Sequence, residues 1–275
     1  MKFRISIELL VFILFVSVGC NAAKFNNSSS KDHLSKETDD NYIKSKGTKR
    51  IVSYNIKHCE GMDKVIDYDR IVTVISSLNP DIVCLQELDS MTTRSNMYQV
   101  KLLGAKLKMH SYFGSAIPYK GGRYGIGILS KEKPIKTYHY SLPGVEKRTF
   151  LIAEFSTYVV ICVHLDLTES NRIVSVKLIT DEAKKLHKPV YLAGDLNEEN
   201  TKGEVFSEFM KNWNIASLIK NTFPTGAPTR CIDYILAFKQ EKTKYQIQNK
   251  NVVYALQAVD VSNASDHYPI FIDFK

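Results

Sequence analysis

Short apolar runs of strand length alternate with segments of helical periodicity from Arg50 to the end of the chain. The strand-like runs are 51–55, 81–87, 149–155, 158–165, 189–193, 231–238, 251–256 and 268–274. Helical spacing is clearest in 67–78, where Ile71, Val74, Ile75 and Leu78 share one face, and similar patterns mark 97–107, 171–186 and 202–213. This interleaved order predicts an α/β fold in which two mixed sheets pack face to face with helices outside.

Polar residues border five of the apolar runs. Four runs end at Asn55, Glu87, His164 and Asp195, and Ser265-Asp266-His267 leads into the last run. Because side chains alternate along a strand, we expect Asp195 and Asn197 of the Gly-Asp-Leu-Asn motif to point the same way. Polar tips repeated on buried strands predict one active site at the edge of the two sheets.

These motifs, in this order, resemble those of the endonuclease/exonuclease/phosphatase family over residues 50–274. The matching residues are Asn55 in Ser-Tyr-Asn-Ile, Glu87 in Leu-Gln-Glu-Leu-Asp, His164 in Val-His-Leu-Asp, Asp195 and Asn197 in Gly-Asp-Leu-Asn, Asp233 in Ile-Asp-Tyr-Ile, and Asp266-His267 in Ser-Asp-His-Tyr-Pro. The resemblance implies a DNase I-like, four-layer α/β sandwich that acts as a metal-dependent phosphoesterase. It also implies that Asp266 completes the metal site or supports its ligands.

The residue types suit phosphoester hydrolysis, which needs charge neutralisation at the phosphate and a positioned water. Glu87 is a hard oxygen ligand for Mg²⁺ or Mn²⁺, and Asn55 can add an amide oxygen. We expect Asp233 to stabilise His267 as an imidazolium. We also expect charged His267 and His164 to bind the phosphate. Asp195 would orient or deprotonate the water. Asn197 would donate to a non-bridging oxygen.

Each of these residues also has an ordinary structural interpretation. Glu87 could be a solvated carboxylate, Asn55 a turn cap, His164 a core histidine and Asp233 a turn residue. Their joint occurrence in one chain favours the catalytic interpretation.

Arginines supply candidate contacts to a phosphate or a lipid headgroup, because the guanidinium binds phosphate through two parallel hydrogen bonds. The candidates are Arg94, Arg123, Arg148, Arg172 and Arg230. We favour Arg230, three residues before Asp233, and Arg123, in the glycine-rich segment 121–130. Arg172 could instead pair on a helix face, and Arg148 could be a surface charge. The glycine spacing in 121–130 fits neither a P-loop nor a dinucleotide fingerprint, so we expect a hairpin turn with close strand packing.

Further motifs narrow the resemblance to a metal-dependent hydrolase branch of the family. They are Asn55-Ile-Lys-His58, Gly61-Met-Asp63, Asp69-Arg70, Gln86-Glu-Leu-Asp89, Thr93-Arg94-Ser95, Tyr119-x-Gly-Gly-x-Tyr124-Gly and Thr222-Phe-Pro224. This branch is also similar to the hydrolase-like domain of eukaryotic glycosylphosphatidylinositol-anchor lipid remodelers. Ile126 stands where the branch usually carries Asn, which changes one polar contact near the phosphate and leaves the metal core intact.

The N-terminal segment resembles a bacterial lipoprotein signal. A basic start, an apolar stretch over 5–18 and small residues before Cys20 predict cleavage after residue 19 and lipidation of Cys20. Ordinary secretion and an uncleaved anchor are the alternatives. Residues 20–48 are polar and predict a flexible tether, and 49–275 form the predicted catalytic domain. The expected location is the cell envelope, with membrane attachment through Cys20.

Charge and cysteine content leave more than one function open. The net charge of +8 is spread along the chain and favours polyanions or acidic membranes without identifying a partner. Cys84 and Cys162 lie in apolar runs and are expected to be free buried thiols, while the states of Cys59 and Cys231 stay open. We favour a monomeric phosphoesterase acting on a lipid or small molecule. The alternatives are a DNase I-like nuclease and a non-catalytic binding module.

Overall fold

The computed structural model describes residues 39–240 and 246–275. The first sheet contains seven strands, of which β3 (Ser95–Tyr98) pairs with β2 outside the main path. The spatial order of the other six is β12 (Ile247–Val252), β13 (Ile270–Phe274), β1 (Lys49–Asn55), β2 (Ile82–Thr92), β5 (Gly122–Ser130) and β4 (His110–Tyr119). The strands β1 and β2 are parallel and the other pairs are antiparallel, so the sheet is mixed.

The second sheet has six strands. Their order is β10 (Trp213–Ile215), β11 (Asp233–Phe238), β9 (Val190–Asp195), β8 (Val159–His164), β7 (Arg148–Glu154) and β6 (Lys136–Leu142). Here β8 and β9 are the parallel pair. The expected hairpin of 149–155 with 158–165 is confirmed as β7 and β8.

The helices are α1 (Tyr68–Ser77), α2 (Gln99–Leu107), α3 (Glu169–Ala183), α4 (Glu204–Asn212) and α5 (Val261–Ala264). The first four confirm the helical segments predicted from periodicity. In α1 the Asp67 side chain caps the start by accepting from the Arg70 N–H at 3.0 Å. The helix buries Ile71, Val74 and Ile75, which are three of the apolar positions that predicted it.

Alternation along the strands divides the core into two layers. In β8, Val160 and Cys162 pack between the sheets with residues of β1 and β2. Their neighbours Ile161 and Val163 point to the opposite face, where they pack with α3 and α4. The predicted arrangement of two mixed sheets flanked by helices is therefore confirmed.

Edge strands account for most differences from the sequence pattern. The strands β4 and β6 were not predicted, because β6 is almost wholly exposed and β4 carries glycine and proline. The strand expected at 251–256 runs over Ile247–Val252 instead. The hairpin turn predicted in the glycine-rich segment is present at Lys120-Gly121, where both residues have positive φ.

The folded part of the chain begins before residue 49. Tyr42 is 3% exposed and packs against Phe271, with ring centroids 6.2 Å apart. The buried Arg50 side chain donates to the Tyr42 carbonyl at 2.6 Å and forms a two-bond ion pair with Asp273. Residues from Tyr42 onward therefore pack on the domain, so the predicted tether does not extend to residue 48.

The signal segment, Cys20 and the tether up to residue 38 lie outside the described residues. Within the described part of the chain, no helix has both the length and the apolar character that crossing a membrane requires.

Candidate active site

The carboxyl ends of the two parallel strand pairs bring the predicted site residues together. In the second sheet, His164 of β8 lies opposite Asp195 of β9, and Asp195 lies opposite Asp233 of β11. In the first sheet, Asn55 ends β1 next to Gln86 of β2. Parallel strands end at the same edge of a sheet, so both sheets contribute polar side chains to one place.

Glu87 lies on a bulge inside a strand, and the expectation that it ends a strand is wrong. Strand β2 continues to Thr92, and its pairing with β5 shifts between Leu85 and Leu88. Glu87 has φ of 63°, which is uncommon for a residue with a side chain. The bulge turns the Glu87 carboxylate toward Asn55 while the strand continues.

Asp195 lies at the centre of the site and is almost fully buried. Its Oδ2 atom accepts from Asn55 Nδ2 at 3.1 Å and lies 3.5 Å from His164 Nε2 and 3.7 Å from His267 Nε2. The same Asn55 nitrogen reaches Glu87 Oε1 at 3.2 Å. Residues separated by more than two hundred positions therefore share one hydrogen-bonded cluster.

His267 and Asp233 form the predicted pair. His267 Nδ1 lies 2.9 Å from Asp233 Oδ2, which also accepts from the Thr222 hydroxyl. Burial lowers the pKa of His267, but the Asp233 carboxylate and then Asp195 and Asp266 outweigh it and raise the pKa to about 10. His267 is therefore an imidazolium at neutral pH.

His164 differs from the expectation of a second charged histidine. Burial, followed by the nearby Arg148 and His267 cations, lowers its pKa well below the ordinary value. His164 is therefore neutral at pH 7 and can serve as a hydrogen-bonding group rather than as a cation.

Asn197 also departs from its expected orientation. It follows the end of β9 with φ of 49°, so the strand alternation no longer applies. Its backbone N–H donates to Asp195 Oδ1 at 2.9 Å and its amide donates to the Leu165 carbonyl at 2.9 Å. One amide hydrogen of Asn197 remains for a ligand, and the turn itself orients Asp195.

The carboxylates around Asn55 fit a hard divalent cation. Burial raises the pKa of Glu87, and the charge of Asp266 raises it further. Burial and the facing Asp233 raise the pKa of Asp195 to about 7. The Asn55 amide nitrogen, which lies between Glu87 and Asp195, is the neutral donor that bridges them. Glu87 and Asp266 would hold a Mg²⁺ or Mn²⁺ ion, with the Asn55 amide beside them.

A second group with ligand spacing consists of Asp195, Asp233 and His267, whose ligand atoms lie within 4.8 Å of one another. The proton on the His267 ring and its bond to Asp233 leave that imidazole without a free lone pair. This group is therefore better suited to acid/base chemistry than to metal binding.

Asp266 lies beside the cluster without a direct bond to Glu87. Its Oδ2 atom is 3.7 Å from Lys57 Nζ, and Ser265 Oγ lies 3.4 Å from Oδ1. Ser265 also donates to the Asn55 carbonyl at 2.8 Å. The motif preceding β13 thus fixes the end of β1.

The arginines proposed as phosphate contacts differ in their exposure and in their partners. Arg123 is exposed, and its guanidinium donates to the Ser115 hydroxyl on β4 at 3.4 Å. Arg230 is partly exposed, pairs with Glu199 at 3.3 Å and lies over the Phe223 ring, which in turn contacts His267. Arg172 forms a buried pair with Glu198 at 3.0 Å.

Arg148 is the site residue that the sequence interpretation undervalued. It is 7% exposed, pairs with Glu146 at 2.7 Å, and its Nε atom has no hydrogen-bond partner among the described residues. Its charge also lowers the pKa of His164 and Glu87. The predicted hairpin carried the signal, because its register places Thr149 opposite His164 and so brings Arg148 to the site.

The four described cysteines, Cys59, Cys84, Cys162 and Cys231, are buried free thiols. This confirms the expectation for Cys84 and Cys162 and settles the two that were left open.

Comparisons with known proteins agree with this geometry. Among solved structures, an endonuclease/exonuclease/phosphatase from Beutenbergia cavernae is 22% identical with a TM-score of 0.69, covering 83% of this chain and 71% of its own. The mannosyl-6-phosphatase Bt3783 of Bacteroides thetaiotaomicron is 17% identical with a TM-score of 0.67, covering 82% and 99%. The human Nocturnin catalytic domain with a bound sulfate is 16% identical with a TM-score of 0.60, covering 83% and 93%.

These likenesses establish a shared fold. No curated protein matches the sequence significantly. A sequence profile described as the endonuclease/exonuclease/phosphatase family matches residues 52–267, which includes all the residues of the cluster. The chain belongs to the endonuclease/exonuclease/phosphatase family, whose members hydrolyse phosphoester bonds.

Proposed function

We propose that this protein is a Mg²⁺- or Mn²⁺-dependent phosphoesterase that attacks phosphorus with a water molecule. The observation that carries the proposal is the meeting of Asp195, Asn55 and Glu87 with the His267–Asp233 pair. One side of this cluster offers carboxylates for a cation. The other offers an imidazolium for a phosphate oxygen.

The bound metal would neutralise phosphate charge and polarise the phosphorus centre. Asp195 is the residue placed to orient the attacking water and accept its proton, because a carboxylate with a raised pKa is a competent base near neutral pH. Asn197 holds Asp195 through its backbone N–H.

His267 is placed to donate to a phosphate oxygen from Nε2, since Asp233 occupies Nδ1. Neutral His164 can add a hydrogen bond without repelling the nearby cations. Arg148 brings a buried positive charge with a free Nε donor to the same place.

A lipid or small-molecule phosphoester is the favoured substrate. A nuclease tracks a nucleic-acid backbone with cations that are free to contact phosphates. In the part of the chain that the structure describes, the arginines nearest the site have carboxylate partners: Arg94 with Asp89, Arg148 with Glu146, Arg172 with Glu198, and Arg230 with Glu199. The resemblance in fold to a mannosyl-6-phosphatase supports the same preference.

A substrate screen tests the proposal. The purified protein is incubated with Mg²⁺ or Mn²⁺ and with plasmid DNA, bis-p-nitrophenyl phosphate, sphingomyelin, phosphatidylinositol and inositol phosphates. We expect hydrolysis of an aryl, lipid or small phosphoester that His267→Ala lowers at least about 10²-fold in kcat. No hydrolysis of any member would overturn the proposal.

The nuclease alternative rests on the basic net charge. DNA affinity measured in Ca²⁺ between about 50 and 200 mM salt separates the two functions. We expect weak binding with a shallow dependence on salt. Micromolar or tighter binding that is lost steeply over this range, together with plasmid nicking in Mg²⁺, would establish the nuclease instead.

We also propose that the protein is held at the membrane of the cell envelope through a lipid on Cys20. The basic, apolar and small-residue pattern of the first twenty residues supports this assignment.

A further inference from the structure

A cavity of about 150 Å³ opens beside Glu87. Its walls come from β2, the turn between β2 and β3, the β4–β5 hairpin and the turn before β7. They consist of Glu87, Arg94, Ile117, Tyr119, Tyr124 and Glu146. Because Glu87 belongs both to this cavity and to the proposed metal site, a group attached to the reacting phosphate can enter it.

The two guanidiniums around this cavity already have carboxylate partners. Arg94 forms two hydrogen bonds with the buried Asp89, at 2.6 and 2.9 Å. Glu146 accepts from Arg148 at 2.7 Å through one carboxylate oxygen. A second anionic group would face the Glu146 carboxylate, while the Arg94 and Arg148 guanidiniums already have carboxylate partners. The cavity therefore favours a neutral occupant.

The walls offer hydrogen-bonding groups of both kinds. Glu146 has a second carboxylate oxygen that can accept, and Arg94 has N–H groups beyond those bound to Asp89 that can donate. The Tyr119 hydroxyl lies 3.4 Å from Arg94 Nη1. Tyr124 also lines the cavity and carries a hydroxyl that can donate and accept. An occupant that is apolar throughout would leave these groups without partners.

Two cations already lie over the Tyr119 ring, where an aromatic base would have to stack. The Arg94 guanidinium lies 4.7 Å from the centroid of that ring and Lys120 Nζ lies 5.3 Å from it. The Tyr119 and Tyr124 rings lie 5.9 Å apart and are tilted by 52°, so they do not form a parallel slot for a flat base. Hydroxyl groups on a saturated ring match the available donors and acceptors better.

We propose that this cavity is a subsite for a polyhydroxylated ring, such as an inositol or a hexose, esterified to the phosphate that the protein hydrolyses. The proposal rests on the proposed phosphoesterase function. Glu146 accepts from ring hydroxyls, and Arg94 and the two tyrosine hydroxyls donate to them. The subsite thereby selects polyol phosphates among small phosphoesters.

A pair of ligands that differ only in their ring hydroxyls measures what those hydroxyls contribute to binding and hydrolysis. myo-Inositol 1-phosphate and cyclohexyl phosphate differ only in those groups, and each can be supplied as the monoester or as its p-nitrophenyl diester. We expect kcat/KM for the inositol ester to exceed that for the cyclohexyl ester by about 10-fold or more, as expected for hydrogen bonds to charged groups. Binding of both monoesters, measured by calorimetry in Ca²⁺, should show the same order.

Two substitutions test the named residues. Glu146→Gln keeps the side-chain size but replaces an acceptor with a donor, and Tyr119→Phe removes one hydroxyl. Each should lower the ratio of kcat/KM for the inositol ester to kcat/KM for the cyclohexyl ester by about 10-fold, toward equal values. The ratio is the readout, because Glu146→Gln also removes the partner of Arg148 and can change the hydrolysis of both esters. The controls are Glu154→Gln, which alters an ion-paired glutamate at the far end of β7, and Tyr140→Phe on β6. Both should keep the full preference.

The outcomes separate the subsite from the phosphoesterase function. Equal binding and equal kcat/KM for the two ligands would overturn the subsite even where both are hydrolysed. Tighter binding of inositol phosphate without hydrolysis of any ester would leave the subsite standing and overturn the phosphoesterase. Phosphatidylinositol vesicles and free mannose 6-phosphate then identify a lipid or a soluble source of the polyol, and hydrolysis of either supports the subsite.

Discussion

At the scale of single residues, the burial of Asp195 destabilises the folded protein but gives its carboxylate the raised pKa that suits a catalytic base. Its carboxylate is buried and faces Asp233 across paired strands. Burial and that neighbouring charge raise its pKa from 3.8 to about 7. Because the folded-state pKa lies above the unfolded value, ionised Asp195 lowers the stability of the metal-free protein once the pH exceeds 3.8, and this loss grows until the pH passes 7.

The first prediction follows from this conflict. Asp195→Asn removes the buried charge, so the Tm of the metal-free protein at pH 8 should rise, by about 2–4 °C for each kcal/mol recovered. The same change should lower kcat at least about 10²-fold, because the proton acceptor is lost. Calorimetry and steady-state kinetics measure the two effects. A lower Tm, or a kcat near that of the unchanged protein, would remove Asp195 from this role.

The second prediction concerns the charge of Arg148. Burial is the first cause of the low His164 pKa and Arg148 is the second. Arg148→Met should therefore raise the pKa of His164 part of the way toward 6.5, as measured by NMR titration of the imidazole. Arg123→Met, at an exposed arginine bonded to Ser115, is the control and should leave that pKa unchanged. An unchanged His164 pKa in Arg148→Met would show that burial alone keeps the imidazole neutral.

At the scale of secondary-structure elements, two backbone irregularities shape the site. The left-handed residues Glu87 and Asn197 turn their chains at the ends of the parallel strand pairs. Asn tolerates this conformation better than most residues with a side chain, whereas Glu does not. The residue type at position 197 is therefore one that favours a left-handed turn, whereas the residue type at position 87 gives no sign of the left-handed conformation it adopts.

The third prediction separates the backbone role of Asn197 from its side-chain role. Asn197→Gly keeps the left-handed turn but loses the amide bond to the Leu165 carbonyl. Asn197→Ala loses the same bond and in addition strains the backbone by about 1 kcal/mol. The Ala variant should therefore have the lower Tm, while both variants lose activity to a similar degree. Equal Tm values would mean that the left-handed turn is not strained by a Cβ atom.

Strand patterns predicted the central elements and missed those at the edges. Strands buried on both faces, such as β8 and β9, are continuous apolar runs with well-defined ends. Edge strands such as β6 need few apolar residues, because one side meets solvent. The bulge at Glu87 depends on pairing with β5, about forty residues away, so the local pattern of β2 carried no sign of it.

At the scale of the whole molecule, the site exists only because the two sheets pack together. Asn55 and Glu87 come from the first sheet, while His164, Asp195 and Asp233 come from the second. The motifs therefore identified the residues correctly, but their protonation depended on three-dimensional neighbours. The low pKa of His164 comes first from its burial and then from Arg148, and the sequence pattern revealed neither.

The fourth prediction concerns membrane attachment. Cys20→Ser should move the protein from the membrane fraction to the soluble fraction, because lipidation needs the thiol. The serine side chain keeps the small size of the cysteine, and a Cys231→Ser variant controls for the loss of a thiol elsewhere. Retention of Cys20→Ser in the membrane after a high-salt wash would indicate that the apolar segment is an uncleaved anchor.

Metal dependence tests the central claim most directly. Hydrolysis of bis-p-nitrophenyl phosphate, or of the best substrate in the screen, is measured in EDTA and again as Mg²⁺ or Mn²⁺ is added back. The proteins compared are the unchanged protein, Glu87→Gln and the control Glu132→Gln, whose glutamate follows β5 near the start of β2 and pairs with Lys49. We expect EDTA to abolish activity, either metal to restore it, and Glu87→Gln alone to need at least about 10-fold more metal, as for loss of a charged ligand. Full activity in EDTA would contradict the account.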